Sequence, residues 1–341
     1  MIGMAPLSSI AMSAYTDLVR LLKDDALSGV EGKPTLKTRG DKAYWYAARR
    51  VGRAMRFFYI GEDSEETRTR IDRIEDLRAT AKERQAERSR LVRLLRAEGM
   101  TPTDRATGSI LSAMAGAGTF RLGGTLVGTN AFRLYEGELG VRLPLGGMAN
   151  TGDIDIAQFE KLSVALQDQV DPGLAQTFST LKFAPVPGLD RGRTWRWAQG
   201  GSGQLVEFLT PAFGHETIRD LPALGVCAQA LNYLNFLIAE PLHAAALYRS
   251  GILVQVPRPE RYAIHKLIVA DRRRGGEGRL KSSKDREQAA FLIEALAEDR
   301  PDDLFRAYTH ALTVGPRWRA HLGSSLDRMA GTKAILEGLG A

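Results

Sequence analysis

The stretch Thr151-Gly152-Asp153-Ile154-Asp155-Ile156-Ala157 alternates carboxylate and isoleucine. In an extended strand successive side chains point to opposite faces, so Asp153 and Asp155 share one face while Ile154 and Ile156 share the other. The isoleucines can enter a core only if the opposite face solvates or neutralises the acids. Two carboxylates side by side raise each other's pKa unless a proton or a cation lies between them. Two arrangements meet that constraint. One is an edge strand with a solvated polar face; the other is a site for a divalent metal, because Mg²⁺ is typically held by one or two carboxylates together with substrate phosphates.

A chain of 341 residues, 44% hydrophobic and 26% charged, can bury a substantial core over two or three structural units. The single cysteine, Cys227, excludes an intrachain disulfide and any multi-cysteine zinc site, which fits a reducing, cytoplasmic setting. His215, His243, His265, His310 and His321 lack the HExxH spacing of a zinc hydrolase. The opening MIGMAPLSSIAMSAYTDLVRLLKDD has no basic segment ahead of its apolar residues and does not read as a secretory signal. The longest apolar run, Leu224 to Tyr248, is interrupted by Gln229, Asn232, Asn235, Glu240 and Pro241, so it is assigned to the core and no membrane partner is expected. A net charge of +7 favours a polyanionic partner, nucleic acid or nucleotide.

Residues 34–60 carry β-formers punctuated by Arg39-Gly40-Asp41 and Val51-Gly52, the pattern of a three-stranded meander. Trp45 and Tyr46 lie among Arg49, Arg50, Arg53 and Arg56, a mixture that can stack bases and hold phosphates, or equally pack one face and solvate the arginines. From Asp63 the period becomes helical, with Asp63-x-x-Glu66 as a capping box and a single long helix running to Glu98. Its highly charged middle, Ala79 to Arg90, is expected to bridge through solvent or pack on a partner. A further helix from Thr103 to about Met114 ends in Ala115-Gly116-Ala117-Gly118, where a domain boundary is expected.

Phe120 to Val127 reads as a strand, Gly128-Thr129 as a tight turn and Asn130 to Leu139 as a short helix. Such a turn aims backbone N–H groups and a hydroxyl at an anion, or simply packs the chain. Strands are expected at Leu181 to Val186, at Arg193 to Ala198 and along QLVEFLTP, where Glu207 sits between Val206 and Phe208. A carboxylate there is costly unless it is paired, protonated, metal-bound or on a solvated face. A hairpin of Ala244 to Tyr248 and Ile252 to Val256, turned at Ser250-Gly251, is expected to extend the core sheet. Pro259 opens a helix that places Lys266 among buried neighbours, where it either snorkels or binds phosphate. Ser282-x-x-Asp285 reads as another capping box, with Asp285 near a helix N-terminus.

Taken in order, LVGTNAF, TGDIDIA, PVPGLD, VEFLTP, VPRPERYAIHKLIVADRR and KSSKDREQA resemble a bacterial nucleotidyltransferase-like family of the polymerase β-type nucleotidyltransferase superfamily, itself similar to the toxin nucleotidyltransferases of abortive-infection systems. The resemblance covers roughly Ala115 to Leu296. It implies that Gly128 and Thr129 form the phosphate turn, that Asp153 and Asp155 are metal ligands with Glu207 as the third carboxylate, and that Lys266, Lys284 and Asp285 are nucleotide-site elements. The interval from Thr129 to Asp153 is longer than the superfamily norm, an insertion around Gly137 to Asn150, and Glu207 stands where Asp is common.

The expected architecture is α+β: a basic β-meander and helical arm over 1–115, a mixed-sheet polymerase β-like core over 116–257, and a helical unit over 258–341. The expected reaction moves a nucleoside monophosphate from an NTP to an acceptor with Mg²⁺ or Mn²⁺ as cofactor. The basic arm and the toxin resemblance point to RNA as acceptor, with a tRNA 3′ end among the candidates, and to an antitoxin protein as a further partner. A second class of function is a nucleic-acid-binding or antitoxin-like protein on a degenerate scaffold; retention of all three carboxylates argues against it.

Overall fold

The computed structural model describes residues 5–51, 54–144, 152–188, 192–201, 203–273 and 278–340. The chain opens with α1 (Ser9–Ser28), started by Ser8, whose hydroxyl accepts a hydrogen bond from the Ala11 amide at 3.0 Å. Its apolar residues recur at helical spacing, Ala11, Ala14, Tyr15, Leu18, Leu21 and Leu22, and all are buried. The expected meander follows as β1 (Lys33–Arg39), β2 (Lys42–Val51) and β3 (Ala54–Glu62), antiparallel and in that order.

The single long helix is in fact three: α2 (Glu65–Asp72), α3 (Ile74–Ala79) and α4 (Ala81–Ala97), with breaks at Arg73 and Thr80. Ser64, not Asp63, is the cap, accepting from the Thr67 amide at 3.1 Å. Asp63 instead accepts from Trp45 Nε1 and Arg68. The charged middle has its partner within the chain. Arg84 and Arg88 hold Asp25 of α1 at 2.6 and 2.8 Å, and Arg70 holds Asp24 at 2.7 Å. The breaks let the three segments follow α1 and bring these arginines onto its acids.

Asp104 caps α5 (Arg105–Ala117), which ends at Gly118 with φ +93. The strand expected from Phe120 shrinks to β4 (Thr125–Val127), because Thr119 to Gly124 turn back on themselves through hydrogen bonds such as Gly124 N to Thr119 O at 2.9 Å. Then come α6 (Gly128–Phe132) and α7 (Tyr135–Leu139) in place of one short helix. After β5 (Asp153–Ala157) follow α8 (Glu160–Ala165), α9 (Leu174–Thr180), β6 (Phe183–Pro185), β7 (Arg196–Gln199), β8 (Leu205–Pro211), β9 (Ile218–Leu221), β10 (Val226–Leu231) and α10 (Leu234–Leu237). The apolar run from Leu224 is thus divided between strand, helix and the start of the next hairpin. Among the described residues no helix is long and apolar enough to cross a membrane.

A seven-stranded mixed sheet organises this region, with β4-β5-β8-β10-β9 as its path; β7 joins it at β8 and carries β6 on its other side. β5, β8 and β10 are parallel, while β4, β7 and β9 run against their neighbours. β8 is shared on one side: Leu205 to Glu207 pair with β7, and Leu209 to Pro211 with β10. The hairpin of β11 (Leu242–Ala246) and β12 (Ile252–Val256) forms its own two-stranded sheet and does not extend the main one. The reason is that both its faces are buried. Ala244, Ala246, Val254 and Val256 enter the main core, and Ala245 enters a second core with α1 and α4. The chain finishes in five helices, α11 (Pro259–Arg272), α12 (Gly278–Asp299), α13 (Pro301–Thr313), α14 (Pro316–Leu326) and α15 (Ala330–Gly338), whose apolar faces complete the main core.

Tyr15 ties α1 to this framework. Its hydroxyl accepts from the Ala245 amide at 3.1 Å, and its ring lies on Gly137 of α7, where a Cβ would collide with the ring carbons. Gly137→Ala is therefore expected to destabilise the protein by about 1–3 kcal/mol through overpacking. The measurement is a thermal melt, with a fall in Tm of several degrees; an unchanged Tm would mean that α1 is not seated on α7 as described.

Candidate active site

Parallel pairing of β5 with β8 sets Asp153 opposite Leu205 and Asp155 opposite Glu207. Ile154, Ile156, Val206 and Phe208 all point to the other face and are buried, so strand alternation delivers the acids to one side without exposing the core. Burial is the largest influence on Asp155, with repulsion from Glu207 and Asp153 next, and together they push its pKa up to about 7. Glu207 is also raised, first by burial and then by Asp153, and is eased by Arg196 and by a hydrogen bond from the Asp155 carboxyl. The Asp155 carboxyl thus keeps its proton to a higher pH than a free carboxyl does.

Gly128 closes the site from the next strand. It follows β4, which pairs antiparallel with β5 so that Val127 lies opposite Asp155. With φ +67 it turns the chain directly over that carboxylate, and a Cβ here would strike Asp155 Oδ2. Thr129 is buried in the first turn of α6, and Asn130 donates from Nδ2 to the Asp153 carbonyl at 2.7 Å, locking turn to strand. The Tyr262 hydroxyl lies 2.9 Å from the Gly128 carbonyl and 3.0 Å from Gln288 Oε1, which fastens the turn to α11 and α12.

On that helical side stands a buried ionic group. Asp285 is held by Lys266 at 2.6 Å and by Arg273 at 2.5 Å. α12 begins at Gly278, so Asp285 is well inside the helix and is no N-terminal cap; Ser282 instead donates to the Ala270 carbonyl at 2.6 Å. Lys266 is neither snorkelled nor open to an anion in this arrangement, because Asp285 receives its ammonium within the helix pair. Both Lys266 and Arg273 are near enough to lower the pKa of Asp155. Lys284 is half-buried, and burial and Lys266 together lower its pKa.

The acid pair and the Lys266–Asp285–Arg273 group therefore face one space, reached by four segments far apart in the chain. Sequence reasoning had not singled out Arg196, Arg273, Lys281 or Tyr262. Arg196 lies opposite Glu207 across the β7–β8 ladder, and Lys281 acts on the same carboxylate from α12. The only local signal for Arg273 was its place in the basic run after α11.

The structure distributes the arm residues differently. Tyr46 is 1% exposed, and its hydroxyl donates to the Leu166 carbonyl, so its ring belongs to the packing between the meander and the following region. Trp45 is half-buried with its indole nitrogen on Asp63 at 2.8 Å. Arg49, Arg50 and Arg56 are exposed, Arg49 in an ion pair with Glu31 at 2.7 Å and opposite Arg56 in the ladder. Arg53 lies outside the described residues, as does the later part of the expected insertion, residues 145–150.

Oxygen-only donors, two of them adjacent and mutually repelling, match the preference of a hard divalent cation. Among the described residues, no group of three or more His, Cys, Asp or Glu side chains is already drawn together as a metal cage. The donor chemistry fits, with Asp153, Asp155 and Glu207 as the residues that would hold the cation.

A parallel pair of acid-bearing strands, a glycine turn over the acids and a basic helical wall meet on a mixed α+β sheet. A family model described as nucleotidyltransferase matches residues 105–313, from the first residue of α5 to the last of α13, and the chain belongs to that family. A second model, a domain of unknown function, matches residues 15–69. No curated protein and no solved structure gives a significant match.

The Asp155 carboxyl has a definite consequence for stability. Between its ordinary pKa of 3.8 and about 7 the folded protein retains a proton that the unfolded chain has released. Without metal, that contribution is complete below pH 4 and is lost as pH rises through 7. Asp155→Asn removes the penalty, so in EDTA at pH 8 it should be more stable than the wild type by on the order of 2 kcal/mol, with the difference vanishing toward pH 4. Urea unfolding at stepped pH checks this, and equal stability at pH 8 would show that burial and the neighbouring acids do not hold the Asp155 carboxyl protonated.

Proposed function

We propose that the protein is a metal-dependent nucleotidyltransferase with a polymerase β-like core, which moves a nucleoside monophosphate from an NTP to RNA. The observation that carries the reading is the Asp155–Glu207 register on neighbouring parallel strands, beneath the Gly128 turn. Asp153, Asp155 and Glu207 would hold Mg²⁺ or Mn²⁺, which when bound supplies charge neutralisation at the phosphoryl oxygens and acidifies the acceptor hydroxyl.

The chain's own groups account for the rest. The Gly128-Thr129 turn lets the NTP phosphates approach the backbone closely. Arg196 and Lys281 steady Glu207 in its charged form. Arg273 and Lys266 bring positive charge to the same space, held in place by Asp285. In the transfer, the acceptor oxygen bonds to the α-phosphorus as the bond to the pyrophosphate oxygen breaks. The acceptor proton leaves to solvent, and the proton that Asp155 keeps in the metal-free protein would be displaced when the cation binds. RNA as acceptor is supported by the net charge of +7 and by the exposed Arg49, Arg50 and Arg56. An abortive-infection toxin with an antitoxin partner is the biological setting in keeping with the motif resemblance.

Incubation with each labelled NTP, Mg²⁺ and total cellular RNA, followed by separation of RNA from protein, tests the reaction. Asp153→Ala and Asp155→Ala should each lower transfer by at least about a hundredfold, with the fold retained by circular dichroism. Near wild-type transfer by either would exclude this site, whereas no transfer by the wild type with any NTP would favour the binding-protein alternative. Glu207→Gln should retain NTP affinity by calorimetry while losing turnover.

For the arm, Arg49→Ala, Arg50→Ala and Arg56→Ala combined should raise the acceptor KM and flatten the salt dependence by up to about 0.7 per lost contact. An unchanged KM and slope would make the meander a packing element.

A further inference from the structure

The C-terminal ends of β8 and β10 open into a cavity of about 610 Å³, within the range of small-ligand sites. Phe213, Tyr233 and Asn235 line it from the strand exits, Arg272 from the end of α11, and Arg317 and Trp318 from α14. Phe213 is 81% exposed, an unusual position for a large apolar ring. Tyr233 adopts φ +73, a costly conformation for a bulky residue. That backbone sets its ring 5.0 Å from Trp318 and 5.1 Å from the Arg272 guanidinium. Glu216, the nearest carboxylate, is already engaged by Arg272 at 3.1 Å and by the Asn232 backbone and side chain.

Aromatic faces beside guanidinium groups and a carboxamide suit a nucleobase with its phosphate: rings stack on bases, arginines take phosphate, and the amide can reach a base edge. The cavity also has a physical link to the acid pair. Arg273 acts on Asp155 and Asp285, while the preceding residue, Arg272, covers Tyr233. β8 itself carries Glu207 and then Phe213, with about 13 Å of strand between Glu207 and Pro211.

We infer that this cavity is a second subsite for the acceptor, taking a nucleotide of single-stranded RNA upstream of its reacting end, with its base against Phe213, Tyr233 and Trp318 and its phosphate on Arg272 and Arg317. The inference rests on the RNA-acceptor reading above. A free mononucleotide offers the same base and phosphate, so the test separates the two sources.

The experiment measures fluorescence anisotropy of a labelled short oligoadenylate with the full chain, in EDTA and without NTP, over a salt series. Phe213→Ala, whose side chain is outside the core, should weaken binding roughly tenfold. Arg272→Ala with Arg317→Ala should weaken it further and reduce the log–log salt slope by about 1.4, the share of two single-strand contacts. AMP should compete only weakly.

Wild-type affinity and slope in both variants would overturn the subsite while leaving nucleotidyl transfer intact. AMP binding as tightly as the oligomer, with the same sensitivity to the variants, would overturn it in favour of a mononucleotide site. Transfer to a non-RNA acceptor with no oligomer binding would also overturn it. Oligomer binding that depends on these residues in a chain inactive toward every acceptor would uphold a nucleic-acid cavity and sink the catalytic reading instead.

Discussion

The crowding of Asp153, Asp155 and Glu207 on one face of the sheet is the constraint around which the rest of the nucleotidyltransferase region is built. Asp155 and Glu207 lie directly opposite each other on parallel strands, and burial together with the neighbouring acids makes both harder to ionise. That arrangement is tolerable only because the opposite faces of the same strands bury isoleucine, valine and phenylalanine. The glycine turn above and the basic helices alongside follow from the same need. A side chain at position 128 would occupy the space of the acid, and cations are required nearby but not in contact.

The helices hold those cations by an internal counter-ion. Asp285 takes both Lys266 and Arg273, so positive charge is delivered to the acid face without collapsing onto it. A buried carboxylate with two basic partners is costly to assemble and strongly destabilising to break, which makes such a group a device for placing charge more than for adding stability. The Tyr262 contact with the Gly128 carbonyl binds this helical wall to the glycine turn, so the two are positioned against each other.

A second organising element is the β11–β12 hairpin, which has a core on either side. Its alternation sends Ala244 and Ala246 to the sheet and the C-terminal helices and Ala245 to α1 and α4. Small residues on both faces let two layers approach closely, and Tyr15 adds a hydrogen bond to the hairpin backbone. The N-terminal helices are thereby joined to the main sheet and C-terminal helices through packing, although the nucleotidyltransferase family match begins only at α5.

Local chemistry was readable from the residues. Period-two alternation marked β5 and β8, Gly-rich punctuation marked the meander and the β11–β12 turn, and proline at a first helical position marked α11. These signals act over a few residues, and so they survive without knowledge of the partner. Breaks at Arg73 and Thr80 did not have such a signal, because they follow from α1 lying alongside. Alternation along the chain was enough to offer Asp153, Asp155 and Glu207 on strand faces, with a glycine turn ahead of them. Folding in three dimensions was needed to bring Glu207 to Asp155, to set Arg196 across from it and to make Asp285 a buried counter-ion instead of a helix cap. Each of those depends on strand register or helix contact between residues distant in the chain, and electrostatic energy between charges is set by separation in space and by burial, neither of which sequence spacing specifies.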